Sequence, residues 1–368
     1  MRQRSTSGPL AWVYAALVLY ASLYPFTGWR WPPGIDLPDL LVLRWTRQHD
    51  DFDRWSNFAG YLPLGLLSFV AVLRAGWRAR SAALLALLLL ALLSWATEVV
   101  QTLLPGRHPS LTDWALNTAG GLAGVLLGGL LQALGALRRW QGLRERWFAR
   151  ESAVALALLS LWPLALLFPA PLPLGLGQVG PELAALLAGW LDGVPWAAPL
   201  QQMLAAVPLP LPTPGPLAET AGTALGLLAP CVLAYAVVEP GVRRAVLAVG
   251  ALLLAVAVMT LATALNFGPE HALAWATPRT PLALALALLA AALLVPMGRR
   301  LVAAIGLVVL TALVALVAQL PADPYFALSL QAWEQGRFIR FHGLAQWLGW
   351  LWPYAALLWL LARLSARE

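Results

Sequence analysis

The chain has 368 residues, 60% of them hydrophobic and 11% charged, with a formal net charge of +7. That balance, with a mean hydropathy of +0.73, excludes a soluble globular domain and points to an all-α, polytopic integral membrane protein. The basic side chains are all arginine and sit in short clusters between apolar runs, a pattern of membrane topology rather than of nucleic-acid binding.

Ten apolar runs approach or exceed the roughly 20 residues that a helix needs to cross the hydrocarbon core. They lie at about 10–26, 56–73, 81–104, 112–137, 152–169, 217–238, 245–265, 281–297, 301–320 and 343–362. The first follows Arg2 and Arg4 and is closed by Tyr24-Pro25-Phe26; with no small-residue cleavage site after it, it is read as an uncleaved helix. Residues 27–55 then form a polar, Asp-rich outer loop. Residues 138–150 alternate arginines with Trp140, Trp147 and Phe148, which suits a linker or a short cytoplasmic helix lying on anionic lipid. Residues 170–216 are rich in proline, with an interfacial helix expected near 181–192. Cys231, in the sixth run, is the only cysteine, so no intramolecular disulfide and no Cys/His structural metal site is expected. Near the end, residues 325–342 place Phe326, Leu330 and Trp333 on one helical face, along the outer membrane surface.

With a cytoplasmic N-terminus, the inner loops of this plan hold Arg74, Arg78, Arg80, Arg138, Arg139, Arg144, Arg146, Arg150, Arg243, Arg244, Arg299 and Arg300. That bias follows the positive-inside rule and makes both termini cytoplasmic. The expected organisation is a four-helix unit over 1–137, a basic linker over 138–150 and a six-helix extension over 151–368.

A run of polar residues interrupts the apolar pattern between about 57 and 117. Glu98 and Gln101 are three apart and share a helix face. Glu98 precedes Leu104 by six residues, roughly 9 Å along a helix. An unpaired carboxylate at membrane depth costs roughly 2.5–3.5 kcal/mol on insertion scales, so Glu98 should be paired, protonated or facing a wet cavity. The short turn Pro105-Gly106-Arg107-His108-Pro109 makes the third and fourth runs antiparallel neighbours and tethers Arg107 near Glu98, so that a contact between the two is expected. Ser110-Leu111-Thr112-Asp113 matches a capping box, and Asn117 lies one turn after Asp113 on the same face. Gly120, Gly124 and Gly128 form a small-xxx-small stripe that lets another helix approach closely. In the second run, Asn57 opens NFAGYLPLG, where Pro63 deprives the Ala59 carbonyl of its helical donor. These groups are expected to converge on one polar pocket at the outer face.

The strings NFAGYLPLG and SWATEVVQTLLPGRHPSLTDWALNTAGGLAG resemble the VanZ-like family of bacterial membrane proteins. The matching positions are Asn57, Tyr61, Pro63, Gly65, Glu98, Gln101, Gly106, Arg107, Asp113, Asn117 and Gly120, within a resemblance that covers about 10–137. LYPFTGWR is similar to members from Gram-negative bacteria, which implies a multi-pass protein of the inner (cytoplasmic) membrane. The resemblance also implies a link to the cell envelope, the family being named for a protein associated with resistance to the glycopeptide teicoplanin.

The favoured reading is an envelope protein that binds or modifies a lipid-linked or glycan substrate at the outer leaflet. Glu98 and Asp113 are the candidate catalytic acid/base pair, and Asn57, Gln101, Arg107 and Asn117 the candidate substrate-binding residues. Membrane lipids are the expected partners, with no nucleic acid, no metal and no cofactor. A non-catalytic scaffold or assembly factor and a transporter or flippase are the alternatives, and enzyme against binding protein stays open.

Overall fold

A computed structural model describes residues 7–23, 26, 28–34, 36–45, 51–105, 107, 109–149, 151–168, 170–191, 195–205, 215–320 and 339–366. His108, Gly106, and the segment with Phe326, Leu330 and Trp333 lie outside the described residues. The described chain is helical and carries no strand. It divides into two compact units, Met1–Arg146 and Trp147–Glu368.

The first unit contains α1 (Ser7–Leu23), the single turn α2 (Leu37–Leu40), α3 (Asp51–Arg74), α4 (Ala79–Gln101), α5 (Leu111–Ala133) and most of α6 (Ala136–Trp147). α4 ends three residues before the expected Leu104. There the chain tightens into i→i−3 bonds, from Thr102 N to Val99 O, Leu103 N to Val100 O and Leu104 N to Gln101 O. α5 also stops short of 137. Gly135 takes a positive φ of 72°, the left-handed conformation that closes helices and that glycine adopts without steric cost. What reads in the sequence as a linker therefore begins at Ala136 as a helix of its own. Arg74 at the end of α3 donates to the Leu137 carbonyl at 3.0 Å and to the Gln141 side chain, which fixes α6 to this unit.

α3 and α5 run parallel, with backbones in contact. A Cβ at Gly120 would sit 2.0 Å from the Phe58 carbonyl oxygen, and one at Gly124 2.0 Å from that of Leu62; at Gly128 it would meet the Phe69 ring. The glycine stripe is thus the seat of α3. α4 runs antiparallel to both and packs Ala82, Ala86 and Leu90 into the apolar core of the unit with Tyr61, Leu64, Phe69 and Val125. The outer surfaces of α4 and α5 expose Leu84, Leu88, Leu89, Leu92, Leu122, Leu126 and Leu130. An apolar exterior of that extent suits contact with lipid tails.

The second unit holds α7 (Ala153–Ala165), α8 (Val179–Trp190), α9 (Ala198–Ala205), α10 (Pro216–Tyr235), α11 (Val242–Phe267), α12 (Thr280–Leu294), α13 (Arg299–Val317) and α14 (Ile339–Ser365). α10 is buried on nearly all sides from Gly226 to Tyr235, as an apolar-all-round helix must be when other helices surround it. A fully buried charge sits in this apolar interior. The fully buried Arg244 guanidinium donates to the carbonyls of Tyr235, Val238, Leu294, Val295 and Met297, and lies over the Tyr235 ring at 5.2 Å. It satisfies carbonyls that α10 and α12 leave open at their C-terminal ends, where a cation also suits the helix dipole.

Six helices among the described residues are long and apolar enough to cross a membrane: α3 from Arg54, α4, α5, α10, α11 and α13. α1, α7 and α12 are apolar but shorter.

Candidate functional site

The parallel α3 and α5 begin where the antiparallel α4 ends, so their polar residues meet at one end of the first unit. Asn57, in the second turn of α3, donates from Nδ2 to Asp113 Oδ1 at 2.7 Å. Ser110 Oγ donates to Asp113 Oδ2 at 2.9 Å and accepts the Asp113 backbone N–H at 3.0 Å. Glu98, buried on α4, accepts the Ser110 backbone N–H on Oε2 at 3.1 Å. In a self-contained capping box the fourth residue returns that second bond to the N-cap N–H. Here a carboxylate from the neighbouring helix takes it, and the Asp113 side chain is turned toward Asn57.

Gln101, one turn after Glu98, donates to the Ser22 carbonyl at 2.8 Å and ties α1 to the same end. Arg107 sits half-buried in the α4–α5 turn, its backbone N–H on the Leu104 carbonyl at 3.3 Å. One turn deeper, Asn117 Nδ2 donates to Ser94 Oγ at 3.1 Å, both residues being buried. The α1–α3 connection crosses above: Arg30 N donates to Leu103 O, Leu111 N to Arg44 O, and Gly28 packs on Pro105.

The geometry therefore brings Asn57, Glu98 and Asp113 together through Ser110, with Gln101 and Arg107 at the rim and Asn117 beneath. Both carboxylates lie at the α5 N-terminus, whose free N–H groups and dipole favour negative charge. Chemically the arrangement offers two carboxylates, an arginine in the adjoining turn and neutral amides. Among the described residues no group of three His, Cys, Asp or Glu side chains has the arrangement to hold a metal ion.

Sequence reasoning missed Ser94, Ser110 as a donor to Asp113, and the Ser22 carbonyl. Ser94 was within reach of the pattern, since it lies four residues before Glu98 and so shares its face. The Ser22 carbonyl carried no signal, because a backbone acceptor on a distant helix has no side-chain signature.

The stretch that builds this site, residues 11–132, matches the VanZ/LLP1 family model. The N-terminal part of the chain is VanZ-like. The match takes in most of α1, all of α3 and α4 and nearly all of α5, and it includes each residue of the polar cluster from Asn57 to Asn117. Together with the apolar helices, it identifies a membrane protein with a VanZ-like N-terminal part. The chain has no match among the curated proteins or the solved structures.

Proposed function

We propose that the VanZ-like unit binds, and acts on or hands over, a lipid-linked or glycan substrate at the outer leaflet of a bacterial inner membrane. The observation that carries this reading is the meeting of Asn57, Glu98, Asp113 and the Arg107 turn at one end of an otherwise apolar helix bundle. Ionisable groups at such a place are costly to keep and mark binding or transfer sites. Arg107 supplies the cation for a phosphate or carboxylate, next to the favourable end of α5. Asn57, Gln101 and Asn117 supply neutral hydrogen bonds, and Glu98 and Asp113 are the groups placed to move a proton. The arginine bias favours ten spans with both termini in the cytoplasm, and in that reading this end faces outward. In this reading the second unit is a membrane-embedded extension.

A scaffold role has its own support, because Glu98 caps α5 through the Ser110 N–H. The two readings part in one experiment. Binding of a polyprenyl phosphate to the purified full chain is measured by native mass spectrometry, beside the thermal unfolding of each variant. A ligand site predicts that Arg107→Ala and Asp113→Asn lose binding at least about tenfold, roughly 1.4 kcal/mol, while still folding. A scaffold predicts lost stability with no ligand in the wild type.

A further inference from the structure

Among the described residues, two buried oxygens beneath the cluster have no hydrogen-bond partner: the Tyr61 hydroxyl and the Asn117 carboxamide oxygen. Tyr61 is 4% and Asn117 5% exposed. Both residues face Ser94. The Asn117 amide donates to Ser94 Oγ at 3.1 Å, and the Tyr61 hydroxyl lies near the Ser94 and Thr97 hydroxyls without a well-formed hydrogen bond to either. Helices α3, α4 and α5 thus each present a polar group to one buried region directly below Asn57 and Asp113.

Buried polar groups in folded proteins are nearly always paired, so two orphans facing one serine point to an occupant. Their chemistry restricts it. The tyrosine hydroxyl has a proton to give, and the carboxamide oxygen can only accept. An oxygen that both accepts and donates completes the set. A phosphate or carboxylate does not, since it would bring anionic oxygens against Asn117 Oδ1 and the Glu98 carboxylate. Neutral hydroxyl groups of a sugar fit, and a resident water has the same hydrogen-bonding character.

Resting on the ligand reading of the cluster, we propose that the unpartnered oxygens of Tyr61 and Asn117, beside Ser94, take up a sugar hydroxyl of a lipid-linked glycan whose anionic part stays at Arg107. The site is then divided, with charge recognised at the rim and sugar recognised below. It selects glycosylated lipids over the bare lipid phosphate.

The test compares two probes on the purified full chain by native mass spectrometry: a polyprenyl phosphate, and the same lipid carrying N-acetylglucosamine. The wild type is expected to prefer the sugar-bearing probe about tenfold. Tyr61→Phe, which keeps the ring and its packing, is expected to erase the preference while leaving affinity for the bare phosphate lipid; Asn117→Leu is expected to erase the preference as well. Arg107→Ala is expected to weaken both probes together. A preference that survives in both Tyr61→Phe and Asn117→Leu overturns the inference and leaves the ligand reading standing. No preference in the wild type, with a lower melting temperature in both variants, also overturns it and assigns the two oxygens to a structural water. Failure of the wild type to bind either probe overturns the ligand reading and this inference with it.

Discussion

Gly120→Ala tests whether the α3–α5 contact is what assembles the site. The added Cβ would lie 2.0 Å from the Phe58 carbonyl oxygen. Ordinary close approaches of carbon to carbonyl oxygen are about 3.3–3.6 Å, so the helices must part by roughly 1.3 Å or more. Neither side can yield locally, because both atoms belong to helix backbones or are fixed to one. Overpacking of this kind costs about 1–3 kcal/mol. The 2.7 Å bond from Asn57 to Asp113 spans the same gap. Stretched by the same amount, it passes the limit of a useful hydrogen bond, which adds about 1.5–3 kcal/mol for a charged acceptor. Against this, alanine gains up to about 1 kcal/mol of helix propensity over glycine. The net loss is about 2–4 kcal/mol, a melting temperature lower by roughly 3–5 °C for a chain of this size. The internal control is Gly129→Ala on the same helix, where a Cβ meets nothing within 4 Å; it should melt no lower than wild type. The assay is thermal unfolding of the detergent-solubilised chain followed by tryptophan emission. If Gly120→Ala melts within a degree or two of Gly129→Ala, the glycine-seated crossing is not what holds Asn57 against Asp113.

Three further outcomes are expected. Glu98→Gln keeps an oxygen able to accept the Ser110 N–H and should unfold within about 1 kcal/mol of wild type, whereas Glu98→Ala leaves that buried donor unmet and should lose about 1–3 kcal/mol in denaturant unfolding. Arg244→Met strips the donors from the carbonyls of Tyr235, Val238, Leu294, Val295 and Met297, with an expected loss of about 3–5 kcal/mol. Arg244→Lys should recover only part of that loss, because one ammonium cannot reproduce the planar fork; equal melting of the lysine and arginine forms would contradict the clamp. Glu219→Gln should weaken the 2.8 Å ion pair with Arg279 by no more than about 1 kcal/mol, since the arginine is half exposed, and hydrogen exchange at the start of α12 would show it as faster opening.

The helices were legible because lipid imposes a simple rule: long apolar stretches must be helical. Each apolar run read from the sequence holds a helix, α6 and α8 fall where amphipathic segments were expected, and Ser110 caps α5 as its motif implied. The ends were less legible. α5 ends at Ala133 because Gly135 turns the chain, although the apolar run itself continues to Leu137. Arg244 was equally hidden: in sequence it is one of two adjacent arginines in a loop, and only the carbonyl ends around it reveal that it is buried. Within the candidate site, spacing alone placed Glu98 with Gln101 and Asp113 with Asn117. The partners that decide their state, Asn57 on Asp113 and Ser110 on Glu98, required the crossing of helices far apart in sequence.

The carboxylates turn out to be the least diagnostic part of the site. Glu98 and Asp113 stand at the N-terminal end of α5, take backbone and side-chain donors, and so have a structural reason to be there with or without a ligand. Helix capping offsets part of the penalty that made Glu98 conspicuous in an apolar chain. The same account does not reach Tyr61 and Asn117. Their buried oxygens have no hydrogen-bond partner, and a buried polar atom left so costs stability. Two neutral groups one turn below the charges therefore add an observation that capping does not explain. A substitution series confined to Glu98 and Asp113 would mix capping with function; Tyr61→Phe and Asn117→Leu separate them.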